Sequence, residues 1–144
     1  MPGPQETHFH HAGFVVASID ACLDHFMRSV GAARHTDIVL DSIQRVKVVF
    51  LLPERPDEPC IELVEPVGEK SPVLRFLEQG GGLHHVCYEV ADITRQLAHM
   101  LTVGATVIRR PRPALAFDNR QIAWVVTAEK LLIEYLEMAH GGAG

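Results

Sequence analysis

The chain has 144 residues, 47% hydrophobic and 22% charged, which fits one soluble domain or two half-size units sharing a core. Its formal charge of −5 and pI near 5.9 argue against a nucleic-acid partner or an anionic membrane surface. No apolar run reaches the length of a membrane span and no charged-then-apolar leader opens the chain, so a cytoplasmic protein is expected.

The Pro- and Gly-rich ends, residues 1–7 and 140–144, are expected to fray. An alternating, β-branched stretch at 9–16 predicts a strand. Ser18 or Asp20 then caps a helix with Ile19, Leu23, Phe26, Met27 and Val30 on one face, stopped by Gly31. Strands are predicted at 37–43, 46–52 and 60–65, the last two joined by the Pro- and acid-rich turn 53–59. Ser71 as cap, Pro72 at the first helical position and Gly80-Gly81-Gly82 at the exit mark a short linker helix. A second strand at 83–90 leads to a helix capped by Asp92 or Thr94, carrying Ile93, Leu97, Met100, Leu101 and Val103 and ending at Gly104. A strand at 105–109, a Pro-rich loop through Asp118-Asn119, and strands at 121–127 and 131–137 complete the reading.

The order strand, helix, strand, strand, strand thus occurs twice. The expected organisation is a first βαβββ module at 8–66, a linker at 67–82 and a second module at 83–138, with the boundary near residue 80. Residues 10–29 and 84–103, aligned at an offset of 74, share seven of twenty positions, among them His10/His84 and His11/His85. Ile61-Glu62-Leu63-Val64-Glu65 returns as Ile133-Glu134-Tyr135-Leu136-Glu137. The period is too long for a solenoid, which leaves duplication of a supersecondary unit.

Strand parity puts His11 on one side with Gly13 and Val15, while Ala12, Phe14 and Val16 face the helix. His85 falls with Cys87, and Glu134 with Leu132 and Leu136. A lone His or Glu on a strand is ordinarily a hydrogen-bonded or outward residue. An early His and a late Glu in each copy offer instead two imidazoles and two carboxylates to one cation. Burying those glutamates would otherwise cost several kcal/mol each. His11, Glu62, His85 and Glu134 are therefore the candidate metal ligands, an N2O2 set that suits cobalt, nickel, manganese, iron or zinc. His10 and His84 have the opposite parity, and His8, His25, His35, His99 and His140 are expected at the surface or behind the ligands. Cys22, Cys60 and Cys87, an odd set without CxxC spacing, are expected to be buried thiols in a reducing compartment. Arg109-Arg110-Pro111-Arg112 can meet an anionic tail of a small substrate.

Residues 9 to 138 resemble the vicinal oxygen chelate (glyoxalase/bleomycin resistance/dioxygenase) superfamily, and within it the methylmalonyl-CoA epimerase branch. The likeness rests on Ile61-Glu62-Leu63-Val64-Glu65-Pro66, Ser71-Pro72-Val73 with Phe76-Leu77, Gly82-Leu83-His84-His85 and Leu132-Ile133-Glu134. It implies an α+β fold, two βαβββ modules forming a cupped mixed sheet around a divalent metal. It also implies proton abstraction beside the carbonyl of an acyl-CoA thioester, with the metal holding the enolate, Glu134 acting as ligand and base, and a homodimer as the assembly. Three positions depart from that branch. Val48 stands where some epimerases carry a second carboxylate base, with Glu89 a weak substitute. Phe117-Asp118-Asn119-Arg120 replaces a Gly-Gly turn, and Thr127-Ala128-Glu129-Lys130 replaces a His-Pro-Lys turn. A glyoxalase-type isomerase or lyase is the alternative. An extradiol dioxygenase, with two His and one Glu, fits less well, and so does a drug-sequestering protein without the quartet.

Overall fold

The computed structural model describes residues 3–139, so His140 and the last four residues lie outside the described part. Two compact units are distinguished: His11–His84, and the residues up to His10 together with those from His85 onward. Both are α+β.

In the first unit, which takes in strand β1 (His8–Val15) from His11 onward, β1 leads into helix α1 (Ile19–Val30), followed by β2 (Arg34–His35), β3 (Val39–Asp41), β4 (Val46–Leu52), β5 (Cys60–Pro66) and a short helix α2 (Leu74–Glu78). The strand order is β2-β4-β5-β1, with β3 also against β4. β1 runs parallel to β5, while β4 pairs antiparallel with β5, β2 and β3, which makes the sheet mixed. Ser18 Oγ accepts from Ala21 N at 3.2 Å, and Glu65 Oε1 accepts from Ile19 N at 2.8 Å. The second glutamate of the repeated motif thus satisfies a donor at the helix start that the helix itself cannot. Gly31 ends α1 in the left-handed region at φ 67°.

The apolar side of α1 packs on one face of this sheet, where Ile19, Val49, Leu51 and Leu63 are buried among Phe14, Leu23, Phe26 and Met27. Because strand side chains alternate, packing that face against the helix sends His11, Val48, Phe50 and Glu62 to the other.

The second unit repeats the plan with β6 (Gly82–Val90), α3 (Ile93–Thr102), β7 (Thr106–Ala114), a single 3₁₀ turn (Leu115–Phe117), β8 (Arg120–Val126) and β9 (Leu132–Glu137). Its strand order is β6-β9-β8-β7, parallel between β6 and β9 and antiparallel elsewhere. Asp92 caps α3 by accepting from Arg95 N at 3.0 Å. Val90, Ile93, Met100, Ala123, Val125, Ile133 and Tyr135 form the helix-side core. Among the described residues no helix is long and apolar enough to cross a membrane.

Four expectations are corrected. The stretch 37–43 is not one strand, because β2 and β3 flank a non-strand segment and β3 ends at Asp41. There Asp41 Oδ1 accepts from Ile43 N and Gln44 N, turning the chain where the strand was expected to continue. The expected Pro-rich loop is mostly strand, since β7 continues through Pro111 and Pro113 to Ala114. It is the last strand in its unit's order, where a missing N–H is tolerated, and two bulges interrupt its ladder. Ser71 does not cap the linker helix by its side chain. Its carbonyl accepts from Leu74 N, and α2 begins three residues later behind Val73. Of the cysteines only Cys87 is buried, while Cys22 and Cys60 are half-buried.

The exit from α2 needs its glycines. Gly80, Gly81 and Gly82 have φ of 123°, 68° and 94°, all in the region that favours glycine. At Gly81 a Cβ would lie 2.8 Å from the Val15 carbonyl oxygen, so a side chain there is excluded twice over.

Candidate functional site

Each unit pairs one histidine with one glutamate, and both pairs have the same register. On β1 and β5, Glu62 lies opposite Gly13, two residues beyond His11. On β6 and β9, Glu134 lies opposite Cys87, two residues beyond His85. The side chains meet accordingly: His11 Nε2 is 3.2 Å from Glu62 Oε1, and His85 Nε2 is 3.4 Å from Glu134 Oε1. All four residues are buried, at 0%, 5%, 3% and 3% relative exposure for His11, Glu62, His85 and Glu134. That burial rules out the solvated-strand role that either glutamate would ordinarily have.

An aromatic ring braces each imidazole. Phe50 meets the His11 ring edge-on with centroids 5.2 Å apart, and Trp124 meets the His85 ring in the same way at 4.7 Å. Phe50 pairs across the sheet with Glu62, and Trp124 with Glu134. The rings therefore sit on the ligand side, each in edge-on contact with an imidazole. The signal for them lay in the spacing. Phe50 follows His11 by 50 − 11 = 39 residues, and Trp124 follows His85 by 124 − 85 = 39. From aromatic to glutamate the counts are 62 − 50 = 12 and 134 − 124 = 10, so the two-residue difference between the halves falls in the turn after the aromatic strand.

The remaining histidines are placed elsewhere. His10 packs edge-on against Phe117 at 5.8 Å, and His84 against Phe76 at 4.8 Å. His8, His25 and His35 are exposed and His99 is half-buried. Val48 is buried on the ligand side of β4, and Ile122, its counterpart 74 residues on, is buried on β8. Glu89 is committed to Arg120, whose Nη1 donates to its Oε2 at 3.1 Å, with His8 Nδ1 3.9 Å from Oε1. On the helix side, burial pushes the Tyr135 phenol above its usual range, partly offset by a hydrogen bond with Gln96. Burial likewise raises the Cys22 thiol, with a smaller contribution from the nearby Glu65 charge. Both groups therefore stay protonated at neutral pH and add no charge to the helix-side core.

A family model for the glyoxalase/bleomycin resistance protein/dioxygenase superfamily matches residues 10–124. The chain belongs to this superfamily. Its mixed-sheet α+β architecture is the vicinal oxygen chelate fold that superfamily members share. Among relatives, it is 37% identical over 67 residues to the ethylmalonyl-CoA/methylmalonyl-CoA epimerase of Cereibacter sphaeroides, a stretch covering 45% of this chain and 50% of that protein. The alignment thus spans only half the length of that relative. Among solved structures, a hypothetical protein from Bacillus halodurans superposes with a TM-score of 0.82 at 27% identity, covering 94% of this chain and 97% of that one. Methylmalonyl-CoA epimerase from Mycobacterium tuberculosis superposes at 0.79 and 23% identity, covering 94% and 91%, a likeness of fold alone.

Proposed function

We propose that the chain is a divalent-metal-dependent isomerase of the methylmalonyl-CoA epimerase type, moving the proton α to a thioester carbonyl. His11, Glu62, His85 and Glu134 would hold the metal, and Glu134 is the base. The observation that carries this reading is the duplicated register, which buries one His–Glu pair in each unit at matching positions. Each pair offers one imidazole nitrogen and one carboxylate oxygen as donors. The Cereibacter sphaeroides relative supports the reaction class over the half of its length that aligns.

The donor chemistry fits such an ion. Two imidazole nitrogens and two carboxylates suit a borderline or hard divalent cation, and the carboxylates balance its charge. Once bound, the ion supplies positive charge that polarises a neighbouring carbonyl and acidifies the adjacent C–H. Everything else falls to protein groups. Glu134 accepts the proton at a carboxylate oxygen, and the planar carbanion turns its other face to the same carboxylate before the proton is returned. Phe50 and Trp124 fix the two imidazoles and keep water from the carboxylates. Val48 and Ile122 cannot carry a proton, and Glu89 is held by Arg120, which favours a single-base route over a two-base one.

The test is solvent-deuterium exchange at the α-carbon of methylmalonyl-CoA, followed by NMR with metal-loaded protein. Exchange that stops on chelation is the expected result. Lack of exchange alongside conversion of the methylglyoxal–glutathione hemithioacetal would shift the assignment to a glyoxalase-type isomerase. The brace has its own test. Trp124→Ala frees the His85 ring and should weaken divalent-ion binding about tenfold, the scale of change beyond the immediate ligands. Competition with a metallochromic indicator measures it, and an affinity within twofold of wild type would show that the ring needs no brace.

A further inference from the structure

The basic stretch 109–112 has a use that its composition alone does not show, because the bulges of β7 sort its arginines. Val107 pairs with Val125, but Arg109 pairs with Trp124, so two steps on β7 meet one on β8. Arg112 then pairs with Ile122, three steps against two. Residues paired across antiparallel strands project from the same face. Val107 and Val125 belong to the helix-side core, while Trp124 packs on His85 on the opposite side. The first bulge therefore substitutes Arg109 for Ile108 on the face that carries Trp124 and Glu134, and the second brings Arg112 to that face as well. Pairing without bulges would have put Ile108 and Arg110 there.

We infer that Arg109 and Arg112 form an anion-recognition site that takes an anionic oxygen group of the substrate, a carboxylate or a phosphate. The inference rests on the reading that Glu134 marks the reacting carbon. β7 lies two strands from β9, about 10 Å at the usual strand spacing. An extended guanidinium projecting from the same face can bridge much of that gap. Arg112 is half-buried and Arg109 exposed. Guanidinium groups recognise carboxylate and phosphate through paired, charge-assisted hydrogen bonds, so two on one face suit a substrate with a negative group near its reactive centre.

Isothermal calorimetry on the full chain tests the site without requiring turnover. Methylmalonyl-CoA, propionyl-CoA, malonate and inorganic pyrophosphate are titrated into wild type, R109Q, R112Q, R109Q/R112Q and R110Q, with R112K as the charge-preserving variant should R112Q fold poorly. The double variant should bind methylmalonyl-CoA at least about tenfold more weakly, the scale of hydrogen bonds to charged groups, with R110Q within twofold of wild type. If propionyl-CoA is unaffected, the anion is the acyl carboxylate. If both thioesters weaken alike, it is a phosphate of the carrier. Should neither thioester bind while malonate or pyrophosphate binding depends on Arg109 and Arg112, the site stands and the thioester assignment falls. Equal losses in R110Q, or no loss in the double variant, overturn the site, as does failure of all four probes to bind.

Discussion

Glu134→Gln is expected to lower α-proton exchange by about a hundredfold or more, in the range for loss of a general base, while metal content falls far less. Glutamine preserves the shape of the side chain and keeps an oxygen that can approach a cation. An amide, however, cannot take a proton from carbon. Glu62→Gln is the internal control, since Glu62 has the same burial and the same register relative to its histidine. If Glu134 is the base, the two variants lose metal to a similar degree but differ widely in exchange rate per bound metal. Parallel losses of metal and rate in both would reduce Glu134 to a ligand, and a larger rate loss in Glu62→Gln would move the base to the first unit. Metal content by atomic emission and exchange by NMR on the same preparations separate these cases.

Duplication is what made this much of the molecule legible. The His–Glu pairs, the helix starts at Ser18 and Asp92 and the faces of β1 and β6 all follow from a pattern that occurs twice, so each copy checks the other. The misreadings fall where the copies differ. Composition made residues 110–114 look like a loop because proline is poor in an interior strand, yet β7 is the last in its unit's order, where Pro113 pairs with Gln121 and Pro111 falls within a bulge. Ser71-Pro72 has the chemistry of a helix start, but a single turn closed through the Ser71 carbonyl comes first. Phe50 and Trp124 were missed for a different reason. Aromatic residues on a strand suggest core, and only the shared spacing of 39 residues from a histidine marks them as braces. The sorting of Arg109 from Arg110 depends on two bulges, and nothing in the local sequence announces them.

Stripping divalent ions should lower the melting temperature of wild type by about 10 °C, and restoring the ion should return it. Binding to the folded state alone stabilises by roughly 4 kcal/mol at a thousandfold excess over Kd. For a chain of this length each kcal/mol shifts melting by about 2–4 °C. The argument rests on what the chelator would leave behind: two carboxylates at 5% and 3% exposure, each with an imidazole nitrogen within 3.4 Å. Such pairs attract, but taking them out of water costs about as much as the attraction returns, so the ion-free site is a weak point rather than a clamp. Glu62→Gln and Glu134→Gln should each shrink the ion-dependent rise, because one of the two charges that balance the cation is gone. This readout is independent of any substrate. A melting curve indifferent to chelator and to added cobalt, nickel, manganese, iron and zinc would mean that the two pairs are self-sufficient, and the proposed metal chemistry would fail with that result whatever the catalytic assays gave.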